Sequence, residues 1–260
     1  MTPQEKHFRD SWLLVERAKR DREALDAKIE AFIQSTPGTA IVKADPKDPL
    51  RFHVSPKFAK KPDPDLEIDF GLIGMHLRSA LDYIPAQLAN PDDPSKSGTQ
   101  FPIYSKESKY LQKGRGGRTA RERHLDGVPQ ERWTLFDQQQ PYERGDDPKS
   151  GPLKLLTGIT NAHKHRELHA FAVAPHGGAV WVIPTGQEPF THMIRRGDML
   201  KSETDLFSFR LPAHVKGNVQ VNCNFAMAVG FGRRPFEVDQ LGDIFERISE
   251  ILSAFEAEIV

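Results

Sequence analysis

Apolar side chains recur every three to four residues in several parts of this sequence, which is the spacing of one helix face. The pattern predicts helices over residues 2–36, 66–89, 130–139, 152–166 and 238–259. Thr2 and Pro3 suit the first turn of a helix, and Pro37-Gly38 ends the first one. Charged residues fill the other face of the first helix, so we expect it to pack one side on a core.

Elsewhere the period is two, which is typical of half-buried strands. It predicts strands over residues 39–43, 51–55, 168–174, 179–183, 191–200, 207–211 and 219–229. Residues 175–178 (Pro-His-Gly-Gly) favour a hairpin between the strands over 168–174 and 179–183. Because helices come first and strands later, we predict an α+β fold with a helical core, an appended antiparallel β-sheet and packed N- and C-terminal helices.

We expect a single α+β domain over residues 1–260. Its predicted parts are an N-terminal helix and hairpin (1–62), a helical motif region (63–167), an antiparallel sheet (168–235) and a C-terminal helix (236–260).

Composition narrows the class of protein. The 260 residues carry 36 basic and 36 acidic side chains, and 38% are hydrophobic, which excludes a wholly disordered chain. No run of about 18 apolar residues could span a membrane. The charged N-terminus is unlike a secretory signal, and the single cysteine, Cys223, cannot form an internal disulfide. We therefore expect a soluble cytoplasmic protein of bacterial type, with no cofactor and no membrane contact.

The densest polar cluster lies over residues 161–169 (Asn-Ala-His-Lys-His-Arg-Glu-Leu-His). The apolar face of the preceding helix is formed by Pro152, Leu155, Leu156 and Ile159. Extending it predicts that His163 and Arg166 point inward, that His165 lies on the flank, and that Asn161 and Lys164 point elsewhere. A buried cation is costly without a partner, so we expect a carboxylate or carbonyl opposite.

Three interpretations of this cluster stay open. Cationic side chains in a last helical turn complement the helix dipole and the free carbonyls, which would be a purely structural role. His165 and His169 have the spacing of a metal-ligand pair, but the neighbouring Lys164 and Arg166 would repel a dication. The third interpretation is a polar site with histidine as acid or base and arginine as anion ligand.

The predicted helix over 66–89 is the expected partner of that cluster. Arg78 and Asp82 are four residues apart on it, which is the spacing of a surface ion pair. The functional alternative is that Asp82 or Asp69 pairs with His163 or Arg166 across a groove and orients an imidazole.

Four short motifs occur in a fixed order: residues 76–83 (HLRSALDY), 101–103 (FPI), 139–142 (QQPY) and 161–166 (NAHKHR). In this the sequence resembles a family of uncharacterised bacterial proteins with LRSALDH, FPI, LQPY and NxxKHR motifs. The resemblance covers about residues 66–170 and implies site positions, not a reaction. The chain has Tyr83 where the family pattern has histidine, so the resemblance gives no base at that position.

The helical part also resembles HEPN domains, helical bundles that include many ribonucleases and carry an Arg-x(4–6)-His signature. Only Arg118 and His124 have this spacing, and about two such matches are expected by chance among 10 histidines and 19 arginines. A HEPN-like site is therefore expected from Arg78, His163, His165 and Arg166 instead.

Residues 106–123 are the most basic stretch, with seven basic and two acidic side chains. Such an arm can contact phosphates through its charge, or it can be a solvated loop neutralised by acidic regions elsewhere. Its glycines at 114, 116 and 117 make a regular helix through them unfavourable.

Two hypotheses about function follow. The first is a metal-independent, HEPN-like ribonuclease or RNA-binding protein. Its catalytic residues would be His163, His165 and Asp82, and its substrate-binding residues Arg78, Arg166, Lys164 and Asn161; the ligand would be RNA or another phosphate-bearing molecule. The second is a non-catalytic structural or protein-interaction module, in which the same side chains form a buried hydrogen-bond network.

Overall fold

The computed structural model describes residues 8–35, 39–57, 61–89, 100–114, 116–147, 150–165, 170–173, 178–184, 188, 190–194, 207–210, 219–225, 228–231 and 236–259. Its helices are α1 (Arg9–Ser35), α2 (Asp65–Leu88), α3 (Glu107–Leu111), α4 (Ala120–His124), α5 (Trp133–Gln138), α6 (Pro141–Arg144), α7 (Pro152–Lys164) and α8 (Gln240–Ile259). Its strands are β1 (Thr39–Ala44), β2 (Arg51–Lys57), β3 (Ala170–Val173), β4 (Gly178–Pro184), β5 (Phe190–Ile194), β6 (Phe207–Arg210), β7 (Val219–Phe225), β8 (Ala228–Phe231) and β9 (Phe236–Glu237).

The chain divides into two compact units. The first comprises Met1–Leu25, Glu67–Leu168 and Gly232–Val260, and the second comprises Asp26–Leu66 and His169–Phe231. The α+β class with a helical core and terminal helices is confirmed. The single domain over residues 1–260 stays a prediction.

The first unit is built on the apolar faces that the sequence predicts. The buried stripe of α2 includes Phe70, Ile73, Leu77, Leu81 and Ile84, at the spacing of one helix face. The aromatic centre of the core is the ring of Phe255 on α8, which lies 6.3 Å from the ring of Phe8, 6.3 Å from that of Phe101 and 4.7 Å from that of Phe136. Phe8 comes directly before α1, and α1 itself buries Trp12, so both terminal helices pack aromatic side chains on this core.

Two glycines let α7 approach α2 closely. A Cβ atom on Gly71 would lie 2.0 Å from Nδ1 of His163, and one on Gly74 would lie 2.6 Å from Cγ2 of Ile159. Neither distance is compatible with a side chain at these positions without movement of the neighbour. The Gly-x-x-Gly spacing on α2 therefore marks a helix-packing contact.

The second unit holds antiparallel strands. The hairpin of β1 and β2 pairs Val42 with Val54, and β6 adds to its other edge with Phe52 opposite Phe209, whose rings stack at 5.5 Å. This third strand comes from far along the chain, and the sequence pattern did not predict its place.

Two predictions about the later strands were wrong. β4 lies between β5 and β7, so both of its edges are occupied and it cannot form the predicted hairpin with β3. β3 pairs instead with β8. The strand predicted over 219–229 is two strands, β7 and β8, which belong to different sheets.

Candidate functional site

A polar pocket of about 280 Å³ lies within the first unit. We call it the α2–α7 pocket. It is lined by Arg78, Asp82, Gln100, Phe101, Ile103, Tyr104, His124, Thr157, Thr160, Asn161 and Lys164. Its wall therefore combines two cations, one carboxylate, one imidazole and several neutral polar groups.

Arg78 and Asp82 form one side of the pocket. They are one helical turn apart on α2, and Nη2 of Arg78 lies 2.8 Å from Oδ1 of Asp82. The same Nη2 donates to the carbonyl oxygen of Phe101 at 2.8 Å, and the backbone N–H of Phe101 donates to Oδ1 of Asp82 at 2.9 Å. The pair is thus a clamp that holds the segment over residues 101–103 against α2.

Burial of this clamp changes the acidity of its carboxyl group. Desolvation raises the pKa of Asp82 above the usual aspartate value, against the opposite effects of Arg78, the N–H of Phe101 and the ammonium of Lys164. The charge on Asp82 is therefore sustained by these three partners together.

Gln140 fixes the next residues of the same segment. Its side-chain amide is fully buried, donates to the carbonyl oxygen of Pro102 at 2.9 Å and accepts from the N–H of Tyr104 at 3.0 Å. Buried amides need such partners on both sides. The motifs around Arg78, Phe101 and Gln140, which are distant in the sequence, thus meet at one wall of the pocket.

His124 occupies the wall near Tyr104. Its Nε2 lies 2.9 Å from the hydroxyl oxygen of Tyr104, and the two rings are 5.8 Å apart. Burial, with the nearby charges of Arg78 and Arg123, lowers the pKa of His124 below 6.5. The imidazole is therefore neutral at physiological pH and has the protonation state of a general base.

The helix that carries His124 begins at a capping box. The hydroxyl of Thr119 accepts from the N–H of Glu122 at 3.1 Å, and the carboxylate of Glu122 accepts from the N–H of Thr119 at 2.5 Å. These hydrogen bonds lower the pKa of Glu122. They define where α4 starts, and hence place His124 in its last turn.

One face of α7 forms the opposite side of the pocket. Its members are Thr157, Thr160, Asn161 and Lys164, spaced as i, i+3, i+4 and i+7. The hydroxyls of Thr157 and Thr160 donate back to carbonyls of their own helix, at 2.9 Å to Leu153 and 3.0 Å to Leu156. The groups of α7 that remain directed to a ligand are the ammonium of Lys164 and the amide of Asn161, both on exposed residues.

Four of the predicted site residues thus line one pocket: Arg78, Asp82, Asn161 and Lys164. The predicted orientation of α7 was wrong in part: His163 packs on α2, as an inward side chain does, but Asn161 and Lys164, which were predicted to point elsewhere, line the pocket. The buried residues of α7 are Leu153, Leu156, Ile159 and Thr160, whereas the prediction counted Pro152 and Leu155 as inward. Leu156 and Ile159 are buried as predicted, and the centre of the buried face is turned by about 60° from the predicted one, with Asn161 and Lys164 at the pocket.

The predicted catalytic histidines are not among the residues that line the pocket. His163 packs on Gly71, which is seven residues from Arg78 and so about 10 Å away along α2. His165 is the exposed C-cap residue of α7. The oxygens of Asp82 bond to Arg78 and Phe101 and not to His163. That Asp69 pairs with His163, or either carboxylate with Arg166, stays a prediction. Arg166 and His169 lie outside the described residues.

His124 is the site residue that sequence reasoning missed. The signal that could have found it is the Arg118-x(5)-His124 spacing, which chance also explains. Arg118 itself does not line the pocket and bonds instead to the carboxylate of Asp126 at 3.2 Å and to the carbonyl of Glu122.

The basic stretch over 106–123 is partly neutralised. Arg118 pairs with Asp126, and Arg121 pairs with Asp137 at 2.8 Å. Two short helices, α3 and α4, flank the exposed glycines at 114, 116 and 117, and Arg115 lies outside the described residues. Paired arginines are poor phosphate ligands, so the local charge is less available than the sequence suggests.

The described part of the chain contains no group of three or more histidine, cysteine, aspartate or glutamate side chains that could hold a metal ion. None of its helices is long and apolar enough to cross a membrane. No protein-family model matches the sequence, and no curated protein or solved structure matches it.

Proposed function

We propose that the α2–α7 pocket binds a phosphodiester group of RNA and cleaves it with side chains alone. The observation that carries the proposal is the joint presence of Lys164, Arg78 and a neutral, partly buried His124 around one pocket. Cations supply the electrostatic stabilisation that phosphoryl transfer needs, and a neutral imidazole supplies the base.

The charge and size of the pocket suit this ligand. Arg78 and Lys164 are opposed by the single carboxylate of Asp82, which leaves one positive charge for the single negative charge of a phosphodiester. About 280 Å³ holds a phosphate with its ribose rather than a whole oligonucleotide. The amides of Gln100 and Asn161 offer neutral hydrogen bonds for the sugar or base.

The reaction would be an internal transfer. His124 takes the proton of the ribose 2′-hydroxyl as that oxygen attacks phosphorus, and the bond from phosphorus to the 5′-oxygen breaks. Water protonates the 5′-oxygen, and the hydroxide that remains takes the proton from His124, which is thereby neutral again. The products are a 2′,3′-cyclic phosphate and a 5′-hydroxyl, and Lys164 stabilises the charge that develops on the phosphoryl oxygens.

The test is incubation of the purified chain with labelled RNA, with and without a chelator. We expect RNA cleavage with and without the chelator, and products that end in a 2′,3′-cyclic phosphate. We expect no cleavage of an oligonucleotide with 2′-deoxyribose at every position. Lys164→Gln should weaken RNA binding and flatten its salt dependence, because one phosphate contact is lost. Cleavage of the deoxy oligonucleotide would contradict the proposed reaction. Loss of RNA cleavage in the presence of the chelator would contradict it as well.

The clamp of Arg78 and Asp82 favours a second candidate, a non-catalytic module. Both charges are engaged with each other and with the backbone of Phe101, as expected of a structural network. In that case the pocket wall supports the fold, and the parent protein should neither bind nor cleave RNA while Arg78→Ala still lowers stability.

A further inference from the structure

The helix that carries His124 is too short to hold itself in place. α4 has five residues, Ala120–His124, whereas isolated helices below about 12 residues are marginal in water. The capping box stabilises its first turn only. The position of His124 in the last turn must therefore depend on contacts with other elements.

Arg121 supplies the strongest of these contacts. Its Nη1 lies 2.8 Å from Oδ2 of Asp137 on α5, and its guanidinium lies over the ring of Trp133, 5.2 Å from the ring centre. The indole N–H of Trp133 in turn donates to the carbonyl of Val128 at 2.9 Å. The ion pair thus fastens α4 to α5, three residues before His124.

The other support of His124 is the hydroxyl of Tyr104. Tyr110 is fully buried and stacks on Tyr104, with ring centres 5.3 Å apart. Desolvation and the negative charge of Asp137 raise the pKa of Tyr110, although its buried hydroxyl has no hydrogen-bond partner within the described residues. Tyr110 therefore stays neutral beside Asp137 and fixes the ring of Tyr104, whose hydroxyl meets His124.

We propose that Asp137 is a positioning residue for His124. It holds the imidazole at the pocket wall through its ion pair with Arg121, which fixes α4 on α5. The proposal rests on the proposed function of His124 as a base, but its structural part can be measured without any activity.

The experiment compares Asp137→Asn, Arg121→Gln and their double variant with the parent chain. Asp48→Asn is the matched control, because Asp48 also pairs with an arginine at 2.8 Å and is similarly accessible, with 31% side-chain exposure against 26% for Asp137. Two quantities are measured on each full-length protein: the titration of His124 by NMR, and kcat and KM for RNA cleavage. His124→Ala identifies the His124 resonance.

We expect Asp137→Asn to raise the pKa of His124 towards 6.5, because a released α4 exposes the ring to water and takes it away from Arg78 on α2. We expect kcat to fall by about tenfold or more with KM changed less than about twofold, since misplacement of a catalytic group costs rate rather than binding. The kcat of the double variant should be no lower than that of the less active single variant, because the two residues act as a pair.

Arg121→Lys keeps the positive charge but loses the planar guanidinium over the Trp133 ring, so we expect a kcat between those of the parent and Arg121→Gln. The same variant replaces Asp137→Asn in the experiment if Asp137→Asn does not fold. An unchanged His124 titration in both the Asp137 and Arg121 variants would overturn the proposal, as would an equal change in Asp48→Asn. If the parent cleaves no RNA, the proposed function fails, and the His124 titration alone then decides the positioning role.

Discussion

His124 and Asp82 face the same pocket, yet burial acts on their protons in opposite directions. The imidazole is kept neutral because its charged form would lose water and meet Arg78 and Arg123. The carboxylate of Asp82 is also disfavoured by burial, but it gains Arg78, Lys164 and a backbone N–H in return. One residue is thus prepared to accept a proton, and the other to stay in a clamp.

The lowered pKa of His124 makes stability depend on pH. Between the pKa of His124 in the folded chain and the ordinary value of 6.5, the unfolded chain binds more protons at this site than the folded chain. The free energy of unfolding therefore rises with pH through this range, and the contribution of His124 to stability is lost as the pH falls. One histidine contributes a slope of at most about 1.4 kcal/mol per pH unit. Urea unfolding between pH 5 and 7 should show a shallower slope for His124→Gln than for the parent. Equal slopes would show that His124 titrates normally in the folded chain.

Arg78 is predicted to matter for stability as well as for binding. Its side chain is 16% exposed and that of Asp82 is 26% exposed. Arg78→Ala leaves Asp82 and the carbonyl of Phe101 with fewer partners, so unfolding should become easier by roughly 1–3 kcal/mol. Thermal melts measure this, with Arg17→Ala as control, because Arg17 makes an exposed i, i+4 pair with Asp21. A fall in melting temperature no larger than that of Arg17→Ala would show that the pair of Arg78 and Asp82 does not stabilise the fold.

At the scale of elements, α7 shows which part of a helix a sequence can define. Its bounds were predicted within two residues, because the apolar positions and Pro152 mark them. The rotation of α7 about its axis was not predicted correctly, because Leu155 is apolar yet only partly buried, while the buried Thr160 is polar. Thr160 satisfies its hydroxyl within its own helix, and periodicity of apolar residues carries no sign of that.

The close contact of α2 and α7 gives a prediction at this scale. Gly71→Ala places a methyl group against the ring of His163, and overpacking of this kind typically costs about 1–3 kcal/mol. Adding His163→Ala to the same protein should recover most of the loss in a thermal melt, because the methyl group then has room. A double variant less stable than Gly71→Ala would show that the two positions do not meet in this way.

At the scale of the molecule, most element types followed from sequence periodicity, whereas the strand partners and the position of His124 in the pocket did not. β6 joins the N-terminal hairpin across about 150 residues of sequence, and no local pattern records such pairing. His124 lies on a five-residue helix beside glycines, where propensity favours a loop. Its position comes from Tyr104, Thr119 and Arg121, which are tertiary and capping contacts.

The C-terminal helix is linked to the pocket through a buried arginine. Arg247 on α8 is 5% exposed, and its Nη2 donates to both the backbone carbonyl and the side-chain oxygen of Gln139 at 3.1 Å. Gln140, the next residue, holds the segment that carries Phe101 and Tyr104. The first unit is thus connected from its last helix to the pocket wall.

This link predicts an effect at a distance. Arg247→Met fills similar volume but leaves Gln139 without its donor, so the free energy of unfolding should fall by roughly 1–3 kcal/mol. RNA cleavage should fall as well, because the wall of the pocket loosens. Arg144→Met is the control, because Arg144 and Arg247 both pair with Glu250 but only Arg144 is exposed. Equal melting temperatures for both variants would contradict the link.

The most direct test of the central claim compares two histidines in one cleavage assay. RNA cleavage rates are measured in the presence of a chelator for the parent, His124→Ala and His163→Ala. The account predicts that His124→Ala lowers the rate by about 10²-fold or more, the typical contribution of a general base. His163→Ala should keep the parent rate within about threefold, because His163 packs on Gly71 and not on the pocket wall. Loss of cleavage in His163→Ala with full activity in His124→Ala would place the chemistry elsewhere and contradict the account.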